Sequence, residues 1–151
     1  MLHKISLAFV IMLAALVLSS CGSDNKVESK IVKNVEGRWY SSAQLIRGKR
    51  VFKDNCAECH GDKGQGLIKD WREAQPDGKF PAPPLNGSAH TWHHSKELLL
   101  RTVNNGGIPL GGTMPAFKDK LADKEKEAVL AHVMSLWPDK IYKTWSERNK
   151  P

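Results

Sequence analysis

Cys56-Ala57-Glu58-Cys59-His60, inside the stretch VFKDNCAECHGDKGQG, places two thiols at positions i and i+3 and an imidazole at i+4. On a turn of helix those three positions share one face. A chain with only three cysteines in 151 residues thus commits two of them, with a histidine, to one point in space. Several chemistries compete for that arrangement. Structural zinc requires four ligands, and no second C-x-x-C is present to complete the set. A dithiol redox pair calls for a strand before the motif and a helix after it. Here a helical pattern precedes the motif, and a loop carrying Gly61, Gly64 and Gly66 follows. A plain disulfide is strained at this spacing. The remaining chemistry is covalent attachment of haem, with Cys56 and Cys59 as thioethers and His60 reaching the iron, and C-x-x-C-H is the spacing that does this.

That assignment constrains the fold. Three helical patterns are readable. SAQLIRGKRVFKDN, residues 42–55, places Leu45, Gly48 and Phe52 on one face, with Ser41 or Ser42 as cap. Residues 95–104 begin at a capping Ser95 and stop at Asn105-Gly106-Gly107. The strongest pattern starts at Asp123, taken as its cap, and runs to Trp137, with Val129, Leu130, Val133, Met134 and Leu136 as an apolar stripe ended by Pro138. Ile141, Tyr142 and Trp145 suggest one or two more helical turns packing back. No useful β alternation appears. The expectation is an all-α domain of three main helices with long glycine- and proline-rich loops. Such loops need something to bury them, and one covalent haem c supplies the missing core.

The second face of the iron needs a donor. Met1 and Met12 lie in the N-terminal apolar run, and Met134 lies on the apolar stripe. Met114, in GGIPLGGTMPAF, is flanked by glycines that let the backbone come close and prolines that hold it there. Met114 is therefore expected as the second axial ligand, its soft thioether giving a low-spin, relatively high-potential iron.

Taken in order, Gly48 and Phe52, CAECH, APPLNG, GGTMPAF and the aromatic-rich last helix resemble a class I monohaem c-type cytochrome over about residues 38–138. The resemblance implies the cytochrome c fold, with the first and last helices crossing near Gly48. It implies that the Pro83 carbonyl accepts from the other ring nitrogen of His60, with Pro84 a neighbouring possibility. It also implies that Trp92 bonds a haem propionate through its ring N–H, as tryptophan does in some relatives. His90-Thr91-Trp92-His93-His94 departs from the simplest members and has the composition of a second metal site, although a surface or propionate contact is the plainer account.

MLHKISLAFVIMLAALVLSS, residues 1–20, has one lysine followed by an apolar run too short for a membrane span, which fits an export signal. Leu18-Ser19-Ser20-Cys21 resembles a bacterial lipobox, so Cys21 is expected to carry lipid. Residues 21–37 would then be a flexible tether and 38–151 the cytochrome domain. The expected location is the periplasmic face of a bacterial membrane, with Gly22 slightly favouring the outer membrane. The net charge of +7 comes without the basic stripe and interleaved aromatics of a nucleic-acid binder; a solvated basic surface is the plainer reading, and steering toward acidic redox partners the sharper one. The leading expectation is a tethered one-electron carrier, not an enzyme. The alternatives are an electron-relay subunit of a larger oxidoreductase and, further off, a copper-binding or sensor protein.

Overall fold

The structure is a computed structural model and describes residues 34–150. The expected export signal, Cys21 and the expected tether up to residue 33 lie outside the described residues. Residues 34–37, expected as tether, are folded: Val35 N donates to Tyr40 O (2.9 Å) and Asn34 bridges Ser41. Among the described residues there are no β-strands, only isolated bridges, and the architecture is all-α.

Helix α1 spans Ser42–Asn55. Its cap is Ser41: the Ser41 hydroxyl accepts from Gln44 N (3.2 Å), and Gln44 Oε1 accepts from Ser41 N (2.9 Å). This reciprocal box satisfies two donors that a helix start otherwise leaves bare. Gly48, Val51 and Phe52, at i, i+3 and i+4, form its buried face. A single turn, α2 (Ala57–His60), follows after a break at Cys56. Helix α3 is Lys96–Asn105, capped by Ser95 Oγ accepting from Leu98 N (3.2 Å). Helix α4 is Asp123–Ser135 and α5 is Asp139–Arg148.

The boundaries of α4 correct the sequence expectation. Asp123 is the first helical residue, preceded by Ala122, and the box is closed from one side only, by Glu125 Oε2 accepting from Ala122 N (3.0 Å). The helix stops at Ser135, two residues before Trp137. Pro138 opens α5, which is ten residues long, more than the turn or two expected.

Helix α4 packs across α1 at Gly48. A methyl group at Gly48 would lie 1.9 Å from the Ala128 carbonyl oxygen and 3.1 Å from His132 Cβ, so only a residue without a side chain allows this approach. Val51 and Phe52 then meet Val129, Leu130, Val133 and Met134 in the core. Met134 is fully buried, and its sulfur accepts from Trp39 Nε1 (3.0 Å). Helix α5 closes over the chain entry. Tyr142 and Trp145 are buried, Arg38 lies 3.8 Å from the Tyr142 ring centre, and Arg38 pairs with Asp139 at 2.6 Å.

His132 sits in this crossing, its ring 5.0 Å from that of Phe52. Burial, with Lys49 adding repulsion, holds its imidazole below the ordinary value of 6.5. The native state therefore prefers it neutral, while the unfolded chain takes up a proton near pH 6.5. Its contribution to stability is complete above about pH 6.5 and falls as the pH drops toward the folded value. The urea midpoint should decline on acidification below 6.5, and His132→Phe should remove that share of the decline. An equal acid slope in both proteins would assign it elsewhere.

Candidate haem site

The Cys56–His60 turn gets its geometry from both sides. Cys56 N donates to Phe52 O (2.8 Å), carrying the α1 hydrogen bonding into the motif, and His60 N donates to Cys56 O (2.9 Å). Cys56 is half-buried and Cys59 exposed, both as free thiols. Burial first, then the neighbouring Cys59, pushes the Cys56 thiol up to about 11. A redox dithiol requires the opposite, a thiol depressed toward the thiolate.

After His60 the chain turns back beneath a proline segment. Gly64 has φ +62°, a conformation glycine takes without strain, and its carbonyl accepts from Leu85 N (2.6 Å) and Asn86 N (3.1 Å). Three consecutive carbonyls of that segment are then used by three different elements. Pro83 O accepts from His60 Nδ1 (2.9 Å), Pro84 O from Thr91 Oγ1 (3.2 Å) and Leu85 O from Trp137 Nε1 (2.8 Å). The first of these contacts puts the proton of His60 on Nδ1 and leaves the lone pair on Nε2. Burial holds the His60 imidazole below its ordinary value, against the smaller opposing pull of the Pro83 carbonyl, so it is a neutral donor.

Met114 is carried on a loop sewn to the end of α3. Gly107 N donates to Met114 O (2.9 Å), Gly112 N to Gly107 O (3.0 Å) and Phe117 N to Val103 O (3.1 Å). Cys56, His60, Pro83 and Met114 all line one cavity of about 660 Å³, within the 300–1,000 Å³ typical of small-molecule sites. Its wall is mainly apolar, including the buried Leu99, Val129, Leu130 and Val133. The donor set fits haem c: two thiols on one helical turn, a neutral imidazole with Nε2 free, and a thioether facing the same space.

The remaining expected residues are placed differently. Met134 does not line the cavity and its sulfur already has a partner in Trp39. Trp92 is not in the cavity wall either. Its ring packs against His93 at 4.0 Å, with Arg148 at 5.5 Å. The tryptophan in the wall is Trp71, stacked on His90 (5.1 Å, 19°) and lying under Arg72 (4.2 Å). His90 and His94 line the cavity with them, but His93 does not. Among the described residues, no group of three His, Cys, Asp or Glu side chains is disposed to hold a metal ion. Thr91 and Trp137 were not singled out from sequence for this site. The available signal was the ring N–H of a tryptophan one residue before Pro138, which a purely apolar stripe does not use.

An all-α fold around a C-x-x-C-H turn with this cavity defines a c-type cytochrome. Residues 43–133 match the family described as cytochrome C oxidase, cbb3-type, subunit III, and the chain belongs to that family. It is similar to the cbb3-type cytochrome c oxidase subunit CcoP of Azospirillum sp. (strain B510), 33% identical over 105 residues, covering 70% of this chain and 33% of that protein. It is also similar to the cbb3-type cytochrome c oxidase subunit FixP of Sinorhizobium medicae, 32% identical over 121 residues, covering 74% and 35% respectively. The chain thus spans about a third of the length of the curated relatives it matches. No solved structure matches it. Among the described residues, no helix is long and apolar enough to cross a membrane.

Proposed function

We propose that this chain is a haem-bearing electron-relay domain of an oxidase assembly, passing single electrons from a donor protein toward a catalytic subunit. The observation that carries this is the meeting of Cys56, His60 and Met114 in one apolar cavity, in a chain of an oxidase-subunit family. Haem held there supplies an iron that cycles between ferrous and ferric.

The rest is done by the chain. Cys56 and Cys59 would hold the group through thioether bonds. His60 Nε2 and Met114 Sδ would be the two donors to the iron, both lining the same cavity. The Pro83 carbonyl fixes the ring of His60 and raises its donor strength. Leu99, Val129, Leu130 and Val133 exclude water, which favours the less charged ferrous state. The chain is an electron carrier in this role and not itself a catalyst.

The test is the protein matured in a host able to attach haem. Pigment should survive acid–acetone extraction and show a low-spin spectrum, and a proportion of it should co-purify with oxidase subunits from solubilised membranes. Pigment that extracts, or an apoprotein with intact thiols after maturation, would overturn the haem assignment.

A second reading, a free-standing tethered carrier, is favoured by Leu18-Ser19-Ser20-Cys21. It predicts purification without oxidase subunits. Under either reading we propose export, cleavage before Cys21 and lipidation of Cys21, with residues 38–151 held on the periplasmic side of a membrane. Two or more acyl chains hold stably where one does not. Cys21→Ser should move the cytochrome almost wholly from the membrane to the soluble fraction, and continued acyl labelling of that variant would refute the anchor.

A further inference from the structure

The cavity wall is electrically one-sided. Of the side chains that line it, Arg72 alone is permanently charged, and none is aspartate or glutamate. Arg72 has no carboxylate partner among the salt bridges of the described residues. It lines the cavity yet is exposed, so it stands at the opening, as does His90.

Its support is rigid. The guanidinium lies over the Trp71 ring, which is stacked on His90. The turn His90–His93 that carries His90 is fixed through the buried Thr91, whose hydroxyl donates to Pro84 O. Just beyond it, His94 O accepts from Trp145 Nε1 at 2.8 Å. Burial, His94, His93 and Arg72 together hold His90 below its ordinary value, so the stack adds a neutral ring rather than a second cation beside Arg72. An unpaired guanidinium at the mouth of an apolar cavity selects an amphiphile with a flat apolar body and an anionic edge.

We propose that Arg72, held on the Trp71–His90 stack, binds the carboxylate edge of the porphyrin. This rests on the haem assignment above and gives to Arg72 the role expected of Trp92. The cation does more than position. A positive charge close to the iron favours the ferrous state, so its removal lowers the reduction potential, an effect that packing alone does not produce.

The experiment is a redox titration of matured holoprotein for the wild type, Arg72→Gln, Arg72→Lys and His93→Gln. The expected result is a lowered midpoint for Arg72→Gln, a midpoint nearer wild type for Arg72→Lys, which keeps the charge, and no change for His93→Gln, which lies outside the wall. A wild-type midpoint in Arg72→Gln overturns the proposal. Should Arg72→Gln accumulate no pigment, recovery in Arg72→Lys supports the charge and equal loss in Arg72→Lys overturns it. Wild-type protein without covalent pigment fails the haem assignment itself, whereas pigmented variants with unchanged potentials fail the carboxylate site alone.

Discussion

Met114→Ala is expected to abolish the charge-transfer absorption of sulfur-ligated ferric haem and to lower the reduction potential markedly. Axial-ligand identity spans roughly 0.8 V across haem proteins, with a thioether raising the potential relative to a nitrogen donor. Losing the thioether should therefore cost a sizeable part of that range. The proposed thioether positions, Cys56 and Cys59, and His60 belong to other elements, so the pigment should remain attached. Met134→Leu is the matched control. Met134 is fully buried and its sulfur accepts from Trp39 Nε1, so its replacement should lower stability by about 1 kcal/mol, the cost of losing that hydrogen bond, and leave the spectrum alone. An unchanged spectrum in Met114→Ala, or a changed one in Met134→Leu, would reassign the ligand.

Gly48→Ala should destabilise the fold severely for so small a change. The added methyl would sit 1.9 Å from the Ala128 carbonyl oxygen, a contact that backbone on both sides cannot relieve by a rotamer change. The helices must part, which costs about 1–3 kcal/mol or more for overpacking. Alanine's better helix propensity returns only about 1 kcal/mol. A net loss of about 2 kcal/mol is a large part of the 5–15 kcal/mol typical of a domain, and Gly48→Leu should not fold at all. Ile46→Ala, on the exposed face of the same helix, should stay within about 0.5 kcal/mol. An unfolding midpoint for Gly48→Ala equal to wild type would mean that α1 and α4 do not touch there.

Much of this was legible in the residues. Helix α1 has the bounds that its spacing predicts, since its cap, apolar face and break are all local. Helix α3 begins after Ser95 for the same reason. The start of α4 was misassigned because Asp123 is itself a good cap, and what decides is Glu125 reaching back to Ala122. Its end was misread because Trp137 looks like one more stripe residue, when its ring nitrogen is directed at Leu85. Within the site, local spacing brought Cys56 and His60 to the cavity wall, with Cys59 exposed on the same turn and outside the wall. The pairing of Trp71 with His90 spans two loops that no periodicity connects, and the family resemblance pointed instead to Trp92. Sequence also offered the histidine run as a metal site, with a surface or propionate contact as the plainer account; in the structure His93 packs on Trp92, whereas His90 stacks on Trp71 and meets His94. Between free carrier and oxidase relay, the family membership favours the relay.

The contact between α1 and α4, with Arg38 latched to Asp139, has a consequence for how the molecule is made. The first helix finds its partner in α4, some 80 positions downstream (Gly48 against Ala128), a non-local contact of the kind whose loop-closure entropy slows folding. Until that contact forms, the CAECH turn lacks the α4 side of its surroundings. Of its two sulfurs, only that of Cys56 is partly covered once the helices pack, while Cys59 stays exposed in the folded domain.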